Sequence, residues 1–469
     1  MSRLVVVSNR VTTLSGRGGV STGGLAMALA AGLRETKGLW FGWSGETTPD
    51  FTGALHTSSA DGVTVATIDL EDVDVQEYYN GYANKTLWPL CHYRIDLTAY
   101  DRSFGQGYER VNRRFAETLR PLLRPDDMIW VHDYHLIPLA RELRRLGVDN
   151  PIGFFLHIPW PARQLVTTLP RHRQLVQALF DYDLVGFQTS DWLAAFEDYV
   201  IHEAKGGVGR DGQMSAFGRT TRAAAFPIGI DAKEFAQLSH SAVASRMYDR
   251  MAASTAFRAM IVGVDRLDYS KGLEERFMGY ERLLQDHPEL LRHVILLQIA
   301  PISRDAVDSY QELRARLDAL SGRINGEFAH TDWSPLRYVH RNYRRDELAG
   351  IYRAARVGLV TPLRDGMNLV AKEFVAAQDP QDPGVLVLSR FAGAALQMKD
   401  ALIVNPFSPE EVSEALKQAL SMDLAERVRR WEALNHGVMT EDVSAWRDSF
   451  VAALTAARAA PAAPRSALG

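Results

Sequence analysis

IWVHDYHLIP, residues 129–138, sets an apolar run directly against a cluster of hydrogen-bonding side chains. The run, Met128–Val131, shows no polar alternation, which suits a strand buried on both faces of a parallel sheet. It gives way to His132, Asp133, Tyr134 and His135. Working outward, Leu4–Val7 and Leu39–Trp43 precede it, and Ile152–Ile158, Leu184–Phe187 and Ala223–Ile228 follow. After a polar, helical stretch near 232–256 the runs resume at Met260–Val264, Val294–Ile299, Val357–Val360, Val385–Leu388 and Leu402–Val404. Segments such as Tyr108–Leu123 and Leu273–Leu284 carry helical spacing between them. Strand and helix alternate, with one interruption, so the expected fold class is α/β: two doubly wound domains joined near residue 232. Ligands of such sheets bind beyond the carboxyl ends of strands.

The bulk numbers restrict the function classes. A chain of 469 residues is too long for one ordinary core. Fifty-three basic and 57 acidic side chains leave a net charge of -4, which gives no reason to expect nucleic acid or an anionic membrane as partner. An anionic substrate then requires a local cluster of Arg and Lys. Cys91 is the single cysteine, so no intrachain disulfide forms and a cytoplasmic location is expected. The apolar run after Met1 is too short for a signal-peptide core, and no stretch approaches the ~20 apolar residues of a membrane span. HEAKGGVGRDG (202–212) reads as an exposed loop, and residues 457–469 as a disordered tail.

Five segments hold candidate chemistry. SNR (8–10) and GRGGVSTGGL (16–25) run from a strand into a loop with five glycines, suited to an approaching anion or simply to a surface loop. No G-x-G-x-x-G is present there. The Asp133 cluster suits sugar hydroxyls or acid–base work, with a helix cap as the alternative; its histidines do not have metal-ligand spacing. GFFLHIPWP (153–161) places His157 after an apolar strand, where a lone His is more often a satisfied core residue and only the company of the Asp133 cluster makes it a candidate. VGVDRLDYSKGL (262–273) puts Arg266 and Lys271 before a helix, where two cations suit a diphosphate. The alternative is a solvated loop in which Arg266 pairs with Asp265 or Asp268. VTPLRDGMNLVAKE (360–373) runs through Asp365, Gly366, Met367 and Asn368 into a helix carrying Glu373, suited to sugar, phosphate and ribose groups, with ordinary dipole-compensating helix-start acids as the alternative. Asp-Tyr-Asp at 181–183 reads as a turn before a strand, and Asp-Val-Asp at 72–74 as an exposed turn or helix start. Two domains of this kind imply a cleft, with a nucleotide diphosphate on the second and a phosphorylated acceptor on the first.

Taken together the blocks VVVSNR, TGGLA, LWFGWSGE, EYYNGYANKTLWPLCHYR, WVHDYH, GFFLHIPWP, DRLDYSKGL, QIAPISR and TPLRDGMNLVAKE resemble the trehalose-6-phosphate synthases over residues 3–455. The resemblance implies a glycosyltransferase-B fold: facing Rossmann-like domains over 1–231 and 232–439, with a helix near 440–456 packing back on the first. It implies retaining transfer of glucose from UDP-glucose to glucose-6-phosphate, without metal or other cofactor, by a homo-oligomer. Arg10, Tyr79, Trp88, Asp133 and Arg304 would bind the acceptor, and Trp88 and Ile158 would select the anomer. The donor would be held by Gly23, Gly24, His157, Arg266, Lys271, Tyr343, Asp365, Gly366, Met367, Asn368, Leu369, Val370, Ala371, Lys372 and Glu373. Asp133, His157, Arg266 and Lys271 would carry the catalytic roles, with the leaving phosphate taking the acceptor proton. Alternatives are another phosphorylated acceptor such as glycerol-3-phosphate, or a non-catalytic sugar-phosphate sensor. The loop 11–20, the PWP at 159–161 and the segment ARQLVTTLPRHR (162–173) depart from the family's usual pattern.

Overall fold

The apolar runs become strands because Val, Ile, Leu and Phe on both faces need covering on both sides. In the computed structural model, which describes residues 2–11, 33–60, 62–256, 258–302 and 307–459, they build two compact units. Unit one holds the described residues up to Pro227 and those from Trp446 onward; unit two holds Ile228–Ala445. The division thus falls four residues before the expected 231/232 boundary, and the return at Trp446 rather than 440.

Unit one has a ten-stranded sheet. Its strands are β1 (Leu4–Arg10), β2 (Leu39–Thr48), β3 (His56–Ala60), β4 (Val63–Glu71), β5 (Met128–His132), β6 (Ile152–Phe155), β7 (Leu184–Phe187), β8 (Gly207–Val208), β9 (Gln213–Ala216) and β10 (Arg219–Ala225). They lie in the order β3-β4-β2-β1-β5-β6-β7-β10-β9-β8. From β4 to β10 every pairing is parallel, and β3, β9 and β8 add antiparallel edges. The central six run in the 3-2-1-4-5-6 order of a doubly wound sheet, so the strand order reverses between β1 and β5. Val5 pairs with Leu39 on one side and with Ile129 on the other, which brings the ends of β1 and β5 side by side.

Unit two repeats the plan with β11 (Ala259–Val264), β12 (Val294–Ile299), β13 (Leu336–Val339), β14 (Val357–Val360), β15 (Val385–Ser389) and β16 (Leu402–Val404). All are parallel, in the order β13-β12-β11-β14-β15-β16, and the order reverses between β11 and β14. The helices that matter below are α1 (Arg102–Leu119), α2 (Leu273–Asp286), α3 (Leu369–Ala376) and α4 (Val443–Ala459). Residues Val75–Leu87 form a wide π-type helix that leads straight into Trp88.

Helix α4 belongs to unit one from Trp446 onward and covers one face of its sheet. Phe450 stacks on Trp130 of β5 with ring centroids 4.4 Å apart, and Trp446 lies at 4.8 Å from the same ring. The approach is possible because β6 and β7 carry glycines there: a Cβ on Gly153 would stand 2.7 Å, and one on Gly186 2.8 Å, from Phe450. Trp446, Phe450 and Leu454 are buried, each contributing about 2 kcal/mol by burial alone.

Several expectations are corrected here. Strands β3, β4, β8, β9 and β13 were not signalled by apolar runs. In β4 the run is broken by Thr64, Thr67 and Asp69, and β13 is four residues with an Arg and a Tyr. The 202–212 segment contains β8 rather than loop throughout. Asp74 is not exposed but fully buried, where Arg110 and Arg114 both bind its carboxylate. The turn expected at 181–183 is found before β7, where Asp183 accepts from Arg144 at 2.9 Å and from the amide of Ile152 at 2.7 Å. Residues 457–459 continue α4 instead of belonging to a tail.

Candidate active site

In unit two the chemistry gathers where the strand order reverses. The chain leaves β11 through Asp265, Arg266, Leu267 and Asp268 and turns into α2 at Gly272. Gly272 has φ +63°, and a Cβ there would lie 2.2 Å from the carbonyl oxygen of Thr361 just after β14, so only glycine lets the two strand ends meet. Asp268 is buried and holds the turn, accepting from Ser270 N at 2.9 Å, Ser270 Oγ at 2.8 Å and the Tyr310 hydroxyl at 3.0 Å.

Arg276, one turn into α2, is fully buried and ties the strand ends together. It donates to Asp265 Oδ2 at 2.6 Å, Gln298 Oε1 at 2.8 Å and Thr361 Oγ1 at 2.9 Å. Burial raises the Asp265 carboxyl above the ordinary carboxylate range, while Arg276 and Lys271 pull it back. Of the two carboxylates beside Arg266, Asp265 binds Arg276, Asp268 accepts from Ser270 and Tyr310, and Arg266 itself is exposed. Arg276 was missed although a signal existed. Leu273, Phe277, Tyr280 and Leu284 mark the buried face of α2, and Arg276 falls on that face.

Lys271 reaches across to the loop after β14, with Nζ 2.5 Å from Asp365 Oδ2. Asn368 Nδ2 donates to the same oxygen at 3.1 Å. Asn368 has φ +76°, a strained conformation for a non-glycine residue, and its Oδ1 is buried with no hydrogen-bond partner among the described residues. The loop is braced from behind by Asp365 N to Phe391 O and Ala394 N to Met367 O. Helix α3 starts at Leu369 and turns its first amides toward this side. Met367 and Ala371 are buried, so they can offer a ligand only backbone. The same is true of Lys372, whose ammonium donates to Ile228 O and Gln397 Oε1, both at 2.8 Å. Burial lowers its pKa to about 8. Glu373 is half-buried, and burial raises its carboxyl to about 7 against the opposing charge of Arg345. Tyr343 is half-exposed beneath the Arg341 guanidinium, 5.3 Å from the ring centre.

Unit one places its candidates at its own reversal point. Arg10 ends β1 and lies over Trp43, 5.8 Å from the ring centre, in space left open by Gly45: a Cβ there would stand 2.3 Å from Arg10 Nη2. Tyr79 meets Trp43 edge-on at 5.6 Å and stacks on His135 at 6.0 Å. Asp133, directly after β5, has φ +76° and accepts from the backbone amide of His157 at 3.2 Å. His157 Nε2 lies 3.1 Å from His132 Nδ1. Burial lowers the pKa of both rings, that of His157 to about 3, so the pair is neutral and shares one proton donor between the two nitrogens. Trp88 and Ile158 are buried at 5% and 6% exposure, Trp88 packing on His92 and Tyr134. Trp43 and Gly45 were not singled out from sequence as site residues, whereas His132 belongs to the polar cluster expected after β5. Gly23, Gly24 and Arg304 lie outside the described residues.

Among the described residues no group of three His, Cys, Asp or Glu side chains is placed to hold a metal ion, and no helix is long and apolar enough to cross a membrane.

The model of glycosyltransferase family 20 matches residues 3–456. A trehalose-6-phosphate synthase from Sinorhizobium fredii is 48% identical over 97% of this chain and 99% of its own. An α,α-trehalose-phosphate synthase (UDP-forming) from Burkholderia xenovorans, solved in complex with glucose-6-phosphate, is 50% identical with a TM-score of 0.93, over 97% of this chain and 100% of its own. An E. coli structure bound with UDP-2-fluoro glucose is 45% identical with a TM-score of 0.92, over 97% and 99%. With the match running nearly end to end over two doubly wound units, the chain belongs to glycosyltransferase family 20.

Proposed function

We propose that this enzyme transfers glucose from UDP-glucose to glucose-6-phosphate with retention, giving α,α-trehalose-6-phosphate and UDP. The observation that carries the reading is the Lys271–Asp365–Asn368 constellation at the strand reversal of unit two, a cation and two sugar-binding groups at the start of a helix. The relatives' glucose-6-phosphate and UDP-2-fluoro glucose supply the chemical identities.

In the transfer the bond from the donor's anomeric carbon to the diphosphate oxygen breaks, and a new bond forms to the acceptor's anomeric hydroxyl oxygen. The hydroxyl proton passes to the departing phosphate. Arg266 and Lys271 compensate the charge that develops on that phosphate, the role a metal fills in other transferases, so the reading calls for no metal and no further cofactor. Asp365 and Asn368 take hydroxyls of the transferred glucose, and the amides at the start of α3 face the diphosphate. Glu373 accepts the ribose hydroxyls. On the acceptor side Arg10 binds the phosphate, Tyr79 and Trp88 present aromatic faces, and Asp133 accepts hydroxyls. A cytoplasmic homo-oligomer is the setting this reading expects.

The deciding measurement is UDP release from UDP-glucose with and without glucose-6-phosphate, together with NMR of the product linkage. Release that depends on glucose-6-phosphate and yields an α,α-1,1 product is the expected result. Release with glycerol-3-phosphate alone would transfer the assignment to that acceptor, and release with neither would sink the catalytic reading.

Glu373 adds a pH signature. Burial pushes its carboxyl up to about 7, and the ionised form accepts on both oxygens whereas the protonated form turns one of them into a donor. Donor binding therefore favours the deprotonated state, so KM for UDP-glucose should rise as pH falls below about 7. Glu373→Gln should give a higher KM that no longer responds over pH 6–8. A wild-type KM that is flat across that window would refute the ribose role.

A further inference from the structure

Unit one contains a cavity of about 220 Å3 that none of the residues assigned to either substrate lines. Three segments wall it: Tyr82 and Thr86 of the π-helix, residues 100–109 at the start of α1, and residues 169–175. The last overlaps the stretch 162–173 whose sequence departs from the family pattern. One wall is aromatic, with the rings of Tyr82 and Tyr108 tilted by 32° at 4.4 Å. The Tyr82 hydroxyl and the Gln174 amide add hydrogen-bonding groups.

The charged residues of the lining are not equivalent. Asp101 is occupied by capping α1, accepting from Ser103 N and Oγ, both at 2.7 Å. Glu109 is bound by Arg141. Arg102 and Arg171 are exposed and make no ion pair among the described residues. Two available guanidinium groups beside an aromatic wall suit a ring that carries an anion. The volume lies below the ~300–1,000 Å3 of pockets for drug-sized ligands, which leaves room for one ring and its substituent. Hydroxyl and amide groups in the lining favour a hydroxylated ring.

We propose that this cavity is a second binding site, for a hexose monophosphate acting as an effector. Its walls are continuous with the acceptor residues. Tyr82 and Thr86 sit on the same π-helix as Tyr79, and that helix runs into Trp88. The Tyr108 hydroxyl donates to the carbonyl of Tyr134 at 2.5 Å, next to Asp133. An occupant pressing on Tyr82 and Tyr108 bears on both attachments. π-Type helices are rare and concentrate at functional sites, which makes this one a suitable element to shift.

The test compares wild type with the double variant Arg102→Ser/Arg171→Ser. Calorimetric titration with glucose-6-phosphate should give about two equivalents per chain in wild type and about one in the variant. Fructose-6-phosphate should shift the wild-type KM for glucose-6-phosphate by roughly five-fold or more, an effect the variant loses, with turnover at saturating substrates unchanged. Equal stoichiometry in both proteins, with no equivalent lost in the variant, or a KM that responds alike in both would overturn the proposal. The kinetic arm rests on the proposed reaction, whereas the binding arm does not. Absence of UDP release with the expected two-to-one change in stoichiometry would therefore count against the reaction and support the second site.

Discussion

Lys271→Ala should lower kcat/KM for UDP-glucose by about 10²–10³-fold, the cost of removing one preorganised donor aimed at developing negative charge. Two losses combine in this variant. The ammonium no longer reaches the leaving diphosphate, and Asp365, at 2.5 Å from Nζ in wild type, keeps Asn368 as its remaining partner and becomes freer to rotate away from the sugar. Lys271→Arg should not restore the rate, because a planar fork cannot occupy the compact position between the β11 and β14 loops. Arg10→Ala should act differently, raising KM for glucose-6-phosphate while leaving KM for the nucleotide sugar nearly unchanged. Steady-state kinetics with each substrate varied in turn separates the two. A loss below about tenfold for Lys271→Ala, or equal effects of both variants on acceptor KM, would contradict the assignment of donor and acceptor groups.

The largest effect on stability is expected at Arg276. Arg276→Met removes a fully buried guanidinium and leaves buried Asp265 without its ion-pair partner, with Lys271 as a more distant opposing charge. Breaking one side of a buried pair in this way costs about 3–5 kcal/mol. Denaturant unfolding should register it as a shift in the transition of unit two, with that of unit one in place. The double variant Arg276→Met/Asp265→Leu should regain much of the loss, since a buried pair replaced whole by apolar side chains is often close to neutral. If the double variant is no more stable than Arg276→Met alone, the uncompensated carboxylate is not the cause. The buried network of Gln298 and Thr361 would then be responsible.

The central strands were readable because each is short, continuous and apolar on both faces. What periodicity cannot carry is order. Nothing in Leu4–Val7 or Met128–Val131 states that they become neighbours, yet that adjacency brings Arg10 and Asp133 to one reversal point. Two strands escaped for other reasons: the edge strand β3 is exposed on both faces and carries no apolar run, and β4, though largely buried, has Thr64, Thr67 and Asp69 interrupting its run. For the site, Lys271, Asp365 and Asn368 were indicated by their place at strand ends, and the structure brings them into direct contact. Lys372 shows the limit: the same loop-to-helix position supports either a ligand contact or an internal anchor, and its burial turns the ammonium inward to Ile228. The positive φ of Asp133 and Asn368 is equally silent in sequence, because neither residue type is rare in ordinary turns.

Helix α4 imposes an order of events on synthesis. Domains generally fold as units while the chain is still emerging, the amino-terminal one first. Here unit one is translated first, but the face of its sheet over Gly153 and Gly186 waits for Phe450 and Leu454. Until those codons have been read, Trp130 and Phe155 present an open aromatic surface on the nascent polypeptide, while Ile228–Ala445 can already reach a finished core. The half that leaves the ribosome first is completed last, so its early exposure, more than that of unit two, is where a chaperone would be needed during translation.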